Sequence, residues 1–174
     1  TKNDHKTGTD RIFEVFNNAF KDKAEIIINL QGDMPNIKPE AIIDLSNYMQ
    51  KKQCDVGTLA GDLISKQDYE NPNVVKVLVK DRLLKGTFQK ASDFFRHKNN
   101  DTIENIYHHV GIYGFTSSSL MRYVNLKRSK LEIERKLEQL RILENGMNIH
   151  VGYLNSLPLS VDTEKDLINI KKIM

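Results

Sequence analysis

The stretch Glu25-Ile26-Ile27-Ile28-Asn29-Leu30-Gln31-Gly32-Asp33-Met34-Pro35 ends a short apolar run in an amide, a glycine and a carboxylate. Ligands of open α/β sheets sit beyond the carboxyl ends of strands, so Asp33 stands where a carboxylate could hold a cation. Gly32 has no Cβ and lets a phosphate or sugar approach the backbone. A plain turn, with Asp33 capping the next segment, fits the same residues. Three other segments carry comparable chemistry. His5-Lys6-Thr7-Gly8-Thr9-Asp10-Arg11 leads into a helix N-terminus, whose free N–H groups and positive dipole end attract an anion; ordinary capping by Thr9 and Asp10 is the alternative. In His108-His109-Val110-Gly111-Ile112-Tyr113-Gly114, His109 and Tyr113 fall on one face of a strand, where they could line a pocket for a polyhydroxylated ligand. The adjacent histidines face opposite ways and so do not share one ion, and a half-buried structural histidine is the plainer reading. In Val161-Asp162-Thr163-Glu164-Lys165-Asp166-Leu167, Thr163 and Asp166 have capping-box spacing. Asp162 precedes the helix, free to point into a site or simply favoured by the dipole. Asp33 and Asp162 together could share a hard cation such as Mg²⁺, which takes one or two carboxylates plus substrate phosphates.

These residues need elements to hold them. Ile12, Val15, Phe16, Ala19 and Phe20 form one apolar helical face, with Thr9 and Asp10 to cap its start. The run 25–30 reads as a strand covered on both faces. Residues 39–52 read as a helix, with Ala41, Ile42, Leu45 and Met49 at helical spacing behind a first-turn proline. A strand follows at 56–60. Asn71-Pro72-Asn73 is turn chemistry leading into a hairpin of 74–79 and 83–88 across Lys80-Asp81-Arg82. A strand at 109–115, a helix over 131–144 closed by Asn145-Gly146, a strand at 148–154 and a helix from Thr163 complete the pattern. The alternation predicts an α/β fold with a mostly parallel sheet flanked by helices and a β-rich excursion.

Composition narrows the function. The 174 residues, 39% hydrophobic and 28% charged, suit one globular domain with a sizeable core, and no apolar run nears the roughly 18 residues of a membrane span. One cysteine, Cys54, excludes an internal disulfide framework, fits a reducing cytoplasm and is read as a small core or surface residue, not a nucleophile. The net charge of +3 is mild, and Lys127-Arg128-Ser129-Lys130 lacks the aromatic interleaving of a nucleic-acid platform; no nucleic-acid or membrane partner is expected. G-x-G-x-x-G, the Walker loop, H-E-x-x-H and C-x-x-C are absent from the sequence, which removes most support for dehydrogenase, P-loop and zinc-enzyme readings.

HKTGTDR, INLQGDMP, NPNVVKVL, HHVGIYGF, LEQLRILENG with IHV, and VDTEKDL, in this order, resemble 3-deoxy-manno-octulosonate (KDO) cytidylyltransferases, the CMP-KDO synthetases, from Thr1 to the last helix. The resemblance implies a nucleotide-diphospho-sugar transferase-like α/β domain over 1–174, with an inserted dimerising subdomain at about 74–125 and a homodimeric assembly. It implies a reaction joining CTP to the acid sugar KDO with release of pyrophosphate, for lipopolysaccharide synthesis in the cytoplasm of a Gram-negative bacterium. Carried over residue by residue, it places His5, Thr7, Gly8, Thr9, Asp10 and Arg11 near the cytidine nucleotide, and Asp33 and Asp162 on Mg²⁺ as the catalytic pair. Gln31, Lys90, His109, Tyr113, Glu138 and Gln139 then fall on the sugar side. Metal charge would offset the α-phosphate and the leaving pyrophosphate, while polar groups aim the anomeric hydroxyl at phosphorus. No residue stands out as a general base, so the metal is inferred to lower the hydroxyl pKa.

Some positions depart from the family pattern. A basic phosphate loop resembling P-A-R-x-x-S-x-R-L-P-G-K is not found, and at least one βαβ unit, roughly 30 residues or more, is expected upstream of Thr1. Met34 stands where Glu is usual, and Gln89-Lys90-Ala91-Ser92-Asp93-Phe94 replaces a stretch resembling S-R-A-x-I-P. Lys90 keeps a charge but not the planar grip of arginine. Lys130 replaces a usual proline, and Arg135 stands where an acidic residue is common. Two other readings accompany the first: a non-catalytic relative that still folds or dimerises, and a cytidylyltransferase for another acid sugar.

Overall fold

The centre of the molecule is a strand, Val56–Gly61 (β2), whose six residues are all buried, in a computed structural model that describes residues 1–21, 23–51, 54–97, 104–161 and 163–172. A strand this apolar requires cover on both faces and partners on both edges. It pairs antiparallel with Ile106–Thr116 (β5) and parallel with Ile149–Leu154 (β6). Outside β5 lies Ile26–Asn29 (β1); outside β6 lie Phe88–Phe95 (β4) and then Lys76–Val79 (β3), giving the order β1-β5-β2-β6-β4-β3. The first residues of β5 also pair with β3, Lys76 opposite His108 and Leu78 opposite Ile106, so the run β5-β2-β6-β4-β3 closes on itself. By these pairings β1, β2, β3 and β6 run one way and β4 and β5 the other. The α/β class holds, but the sheet is mixed rather than mostly parallel. The segment 74–125 contributes β3, β4 and β5 to this same sheet, and the antiparallel strands stand between the others, leaving β2–β6 as the parallel pairing among the described strands.

Helices cover the two faces. Pro39–Lys51 (α2) buries Ala41, Leu45 and Met49, the spacing its sequence predicts, against Leu59, Val110 and Ile112. It lies so close that a Cβ on Gly57 would stand 2.7 Å from Leu45 Cδ1. Gly8–Val15 (α1), Ser117–Val124 (α4), Lys130–Arg135 (α5) and Leu140–Glu144 (α6) build the other layer around Phe16, Phe94, Phe115, Tyr123 and Ile149. Lys66–Glu70 (α3) and Glu164–Ile170 (α7) are the remaining helices described. None of the described helices is long and apolar enough to cross a membrane.

The structure corrects four local expectations. The N-cap of α1 is Thr7, which accepts the Asp10 amide, not Thr9 or Asp10; after Val15 the backbone loosens into a π turn over Phe16–Phe20, and of the expected apolar face Phe16 is buried while Val15 and Phe20 are half exposed. β1 is an edge strand that pairs with β5, and Leu30 is half exposed, so it is not covered like a central strand. The expected hairpin starts its second strand only at Phe88, because Gly86 at φ +74° and the Thr87 hydroxyl bonded to Leu84 O at 2.7 Å close a turn first. The helix expected over 131–144 breaks at Lys136, which is left-handed at φ 54°, ψ 45°.

Candidate functional site

A cavity of about 620 Å³ opens beyond the carboxyl end of β1 and brings together Gln31, Asp33, His109, Tyr113, Glu138 and Gln139. Their positions come from three elements: the chain leaving β1, the middle of β5, and the turn between α5 and α6. The Gln31 amide lies against Gly111, where a Cβ would stand 3.5 Å from Nε2.

His109 and Tyr113 do share a face, for a reason the spacing alone does not contain. Thr58 faces Tyr113 while Leu59 faces Val110, so β5 advances three residues against one of β2, and the two-residue excess preserves the alternation. The Thr58 hydroxyl, fully buried, fills this bulge: it lies 2.7 Å from Ile112 O, 3.2 Å from Val110 O and 2.9 Å from His109 Nε2. A hydroxyl has one proton, and the short contact to the Ile112 carbonyl takes it. Thr58 Oγ1 is therefore the acceptor for His109 Nε2–H, which assigns the neutral tautomer with a free lone pair on Nδ1. Burial, with help from the neighbouring His108, pulls the His109 pKa down to about 3, so the ring is uncharged at neutral pH. Phe94 stands edge-on to it, with centroids 5.1 Å apart. Tyr113 is a neutral phenol, its pKa raised well above the ordinary value by burial and by Glu138.

Asp33 carries an unmet need at the cavity. Its Oδ1 is buried without a hydrogen-bond partner, a costly state for a carboxylate oxygen unless a cation or donor meets it. Its backbone carbonyl accepts the Val161 amide at 2.8 Å, and Thr163 and Asp166 line the same cavity, joined by the predicted capping box. Asp162 lies outside the described residues. Among the described residues no group of three or more His, Cys, Asp or Glu side chains could enclose a metal. An unpartnered lone pair on one carboxylate suits a hard divalent cation that takes most of its ligands from phosphates and water.

Glu138 joins this cavity to the N-terminal segment. Burial raises its pKa, while the nearby hydroxyls of Thr7, Thr9 and Tyr123 work to lower it; the Tyr123 hydroxyl donates to Oε2 at 3.3 Å, and the Thr7 hydroxyl donates to Asp10 Oδ2 at 3.0 Å. Thr9 stands beside Glu138 and Gln139, so the N-terminal segment lies next to the cavity wall. Gly8 lies beside Asn29, whose Nδ2 is buried without a partner. His5 and Asp10 face a second groove of about 560 Å³, His5 bonded to Glu14. Arg11 is exposed and donates to Thr1 Oγ1 and Lys2 O. Lys90 is not brought to the cavity: it is exposed on β4 opposite His150. Cys54 is buried, and burial pushes its thiol up to about 11, which suits a core residue.

The cations that do line the cavity, Arg96 and Lys136, escaped the sequence reading. Arg96 Nη1 donates to Pro72 O and Asn73 O, both at 3.0 Å. The buried Lys76 ammonium donates to Asn71 O at 2.6 Å and Arg96 O at 2.9 Å. Asn71-Pro72-Asn73 signalled a turn; that the turn is clamped by two cations at a cavity wall depends on β3 and β4 lying side by side.

A family model described as cytidylyltransferase matches residues 1–149. The 3-deoxy-manno-octulosonate cytidylyltransferase of Rhodopseudomonas palustris strain TIE-1 is 40% identical, aligned over 100% of this chain and 71% of its own length; that of Bartonella tribocorum is 37% identical with the same coverage. The chain belongs to the 3-deoxy-manno-octulosonate cytidylyltransferase family. A solved CMP:2-keto-3-deoxy-manno-octonic acid synthetase complexed with CTP superposes with a TM-score of 0.85 at 34% identity, over 100% of this chain and 70% of that one. The 2-C-methyl-D-erythritol 4-phosphate cytidylyltransferase of Francisella tularensis, at 13% identity and a TM-score of 0.60, shares the fold with this family member.

Proposed function

We propose that the protein joins CTP to KDO, forming CMP-KDO and releasing pyrophosphate for lipopolysaccharide synthesis in the cytoplasm. The observation that carries this reading is one cavity lined by Gln31, Asp33, His109, Tyr113, Glu138 and Gln139, with an Asp33 oxygen that has no hydrogen-bond partner, in a chain of this family. The sugar's anomeric hydroxyl attacks the α-phosphorus of CTP while the bond to pyrophosphate breaks. Neutral His109, held by Thr58, accepts a hydrogen bond from a sugar hydroxyl at Nδ1; Gln31 and Gln139 donate to sugar oxygens; Glu138 orients the sugar beside the nucleotide-side segment 5–11. Lys90 belongs to the sugar set only by resemblance, and Arg96 and Lys136 offer the charge for the sugar carboxylate. We assign Asp33 and Asp162 as ligands of Mg²⁺, which when bound supplies charge against the phosphates and a lowered hydroxyl pKa. We further assign the strands of 74–125 as the subdomain that makes a homodimer.

The test is pyrophosphate release from CTP with KDO and with a second acid sugar, with and without Mg²⁺. The reading expects Mg²⁺-dependent release with KDO, abolished in Asp33→Asn while that variant melts like the parent. Release with Asp33→Asn at the parental rate, or none with KDO, would refute it.

A further inference from the structure

We propose that the ion pair between Arg135 and Asp93 is a positioning device that holds the two sugar-facing walls of the cavity at a fixed distance; this rests on the sugar side being the one assigned above. Arg135 closes α5, and the next residue, Lys136, is left-handed. The turn it begins carries Lys136, Glu138 and Gln139 to the cavity. Behind the turn, buried Glu132 grips Arg141 of α6 through Nε at 2.8 Å and Nη2 at 2.5 Å, which fixes the turn's shape, and Leu137 and Leu140 pack it on the sheet without directional bonds. Arg135 adds a directed tie to β4: its Nη1 donates to Asp93 Oδ1 at 2.7 Å and to Phe94 O at 3.0 Å.

Asp93 sits at a defect in β4. Leu78 faces Asp93 and Val79 faces Ala91, so Ser92 is the extra residue of a bulge, a place where strand direction is adjustable. The next residue, Phe94, packs its ring perpendicular to that of His109. One guanidinium therefore ties the Glu138–Gln139 turn to the strand that backs His109. The side chains keep 33% and 21% of their exposure, so solvent screens the pair and its weight in overall stability is small. Its geometric weight is not screened, because a small displacement of a binding group costs affinity steeply.

The experiment compares Arg135→Met, Asp93→Asn and the charge exchange Asp93→Arg with Arg135→Asp in the enzyme. Either single change should raise KM for KDO about tenfold and leave KM for CTP within about twofold, with melting displaced by no more than about 4 °C. The exchange should recover most of the loss. In parallel, amide hydrogen exchange of Leu137, whose N–H is bonded to Glu132 O, is followed without ligand and should quicken in the singles and slow again in the exchange. A lower melting temperature with unchanged KM for KDO, or equal damage to both KM values, overturns the proposal. If the parent enzyme does not use KDO at all, the functional reading fails, and the Leu137 exchange still decides: unchanged rates overturn the positioning role, and quickened, rescuable rates uphold it.

Discussion

Replacing Thr58 by valine isolates one oxygen atom. Valine has nearly the same shape and favours strands, so packing in the fully buried site is retained and the loss is the hydroxyl. Without it the His109 Nε2–H, now 2.9 Å from its acceptor, and the Ile112 carbonyl, now 2.7 Å from its donor, are both left unpaired in a place water does not reach. Each unsatisfied buried group costs about 1–3 kcal/mol, so the pair costs about 2–6 kcal/mol. At about 2–4 °C per kcal/mol for a domain of this size, melting should fall by about 4–24 °C. Thr58→Ser, which keeps the hydroxyl and loses one methyl, should cost only about 1 kcal/mol. Thermal unfolding of the three proteins measures this, and nitrogen NMR of the His109 ring reports the tautomer directly. With the Nε2–H no longer anchored, KM for the sugar should rise in Thr58→Val and hold in Thr58→Ser. If Thr58→Val melts within about 1 °C of the parent, below the cost of even one unpaired group, or its His109 keeps the Nε2–H tautomer and the parental KM, the account of the bulge is wrong.

Acid should destabilise the fold through His109. Its folded pKa of about 3 lies below the ordinary value near 6.5. Between these values the unfolded chain binds a proton that the folded one excludes, so the contribution is intact above pH 6.5 and is lost as pH falls towards 3, at up to about 1.4 kcal/mol per pH unit. Urea midpoints taken across this window should show a shallower slope for His109→Gln than for the parent; identical slopes would contradict the assignment. Glu132 makes a different test. Burial pushes its pKa up, but hydrogen bonds from Arg141, Arg128 and the Ser129 amide hold it below the usual range. Glu132→Gln leaves Arg141 buried without its counter-charge and should cost about 3–5 kcal/mol. Arg128→Ala, removing a half-exposed partner, should cost under about 1 kcal/mol; denaturant unfolding that ranks the two alike would refute the buried-pair reading.

The amino-acid order alone determined those features whose causes are local. The stripe Ala41, Leu45 and Met49 dictates which side of α2 is buried; Thr163 and Asp166 dictate the capping box of α7; Gly146, at φ +68°, ends α6 where Asn145-Gly146 predicted. The segments of the site are legible too, because short polar runs after apolar ones mark strand ends, and their order carries the family. What lay beyond the sequence depends on neighbours far along the chain. The helix pattern over 131–144 is unbroken in composition, yet Glu132 and Arg141 pair by bending the chain at Lys136. The parallel expectation for the sheet fails because β4 and β5 slot between strands that run alike. That β4 sets Lys90 beside His150 and outside the cavity lining is not written in its neighbours in sequence, and Arg135 looks misplaced until Asp93 is found 2.7 Å away. The lone oxygen of Asp33 and the orienting hydroxyl of Thr58 have no signature in one dimension, since burial and the want of a partner are properties of a packed surrounding, not of a residue type.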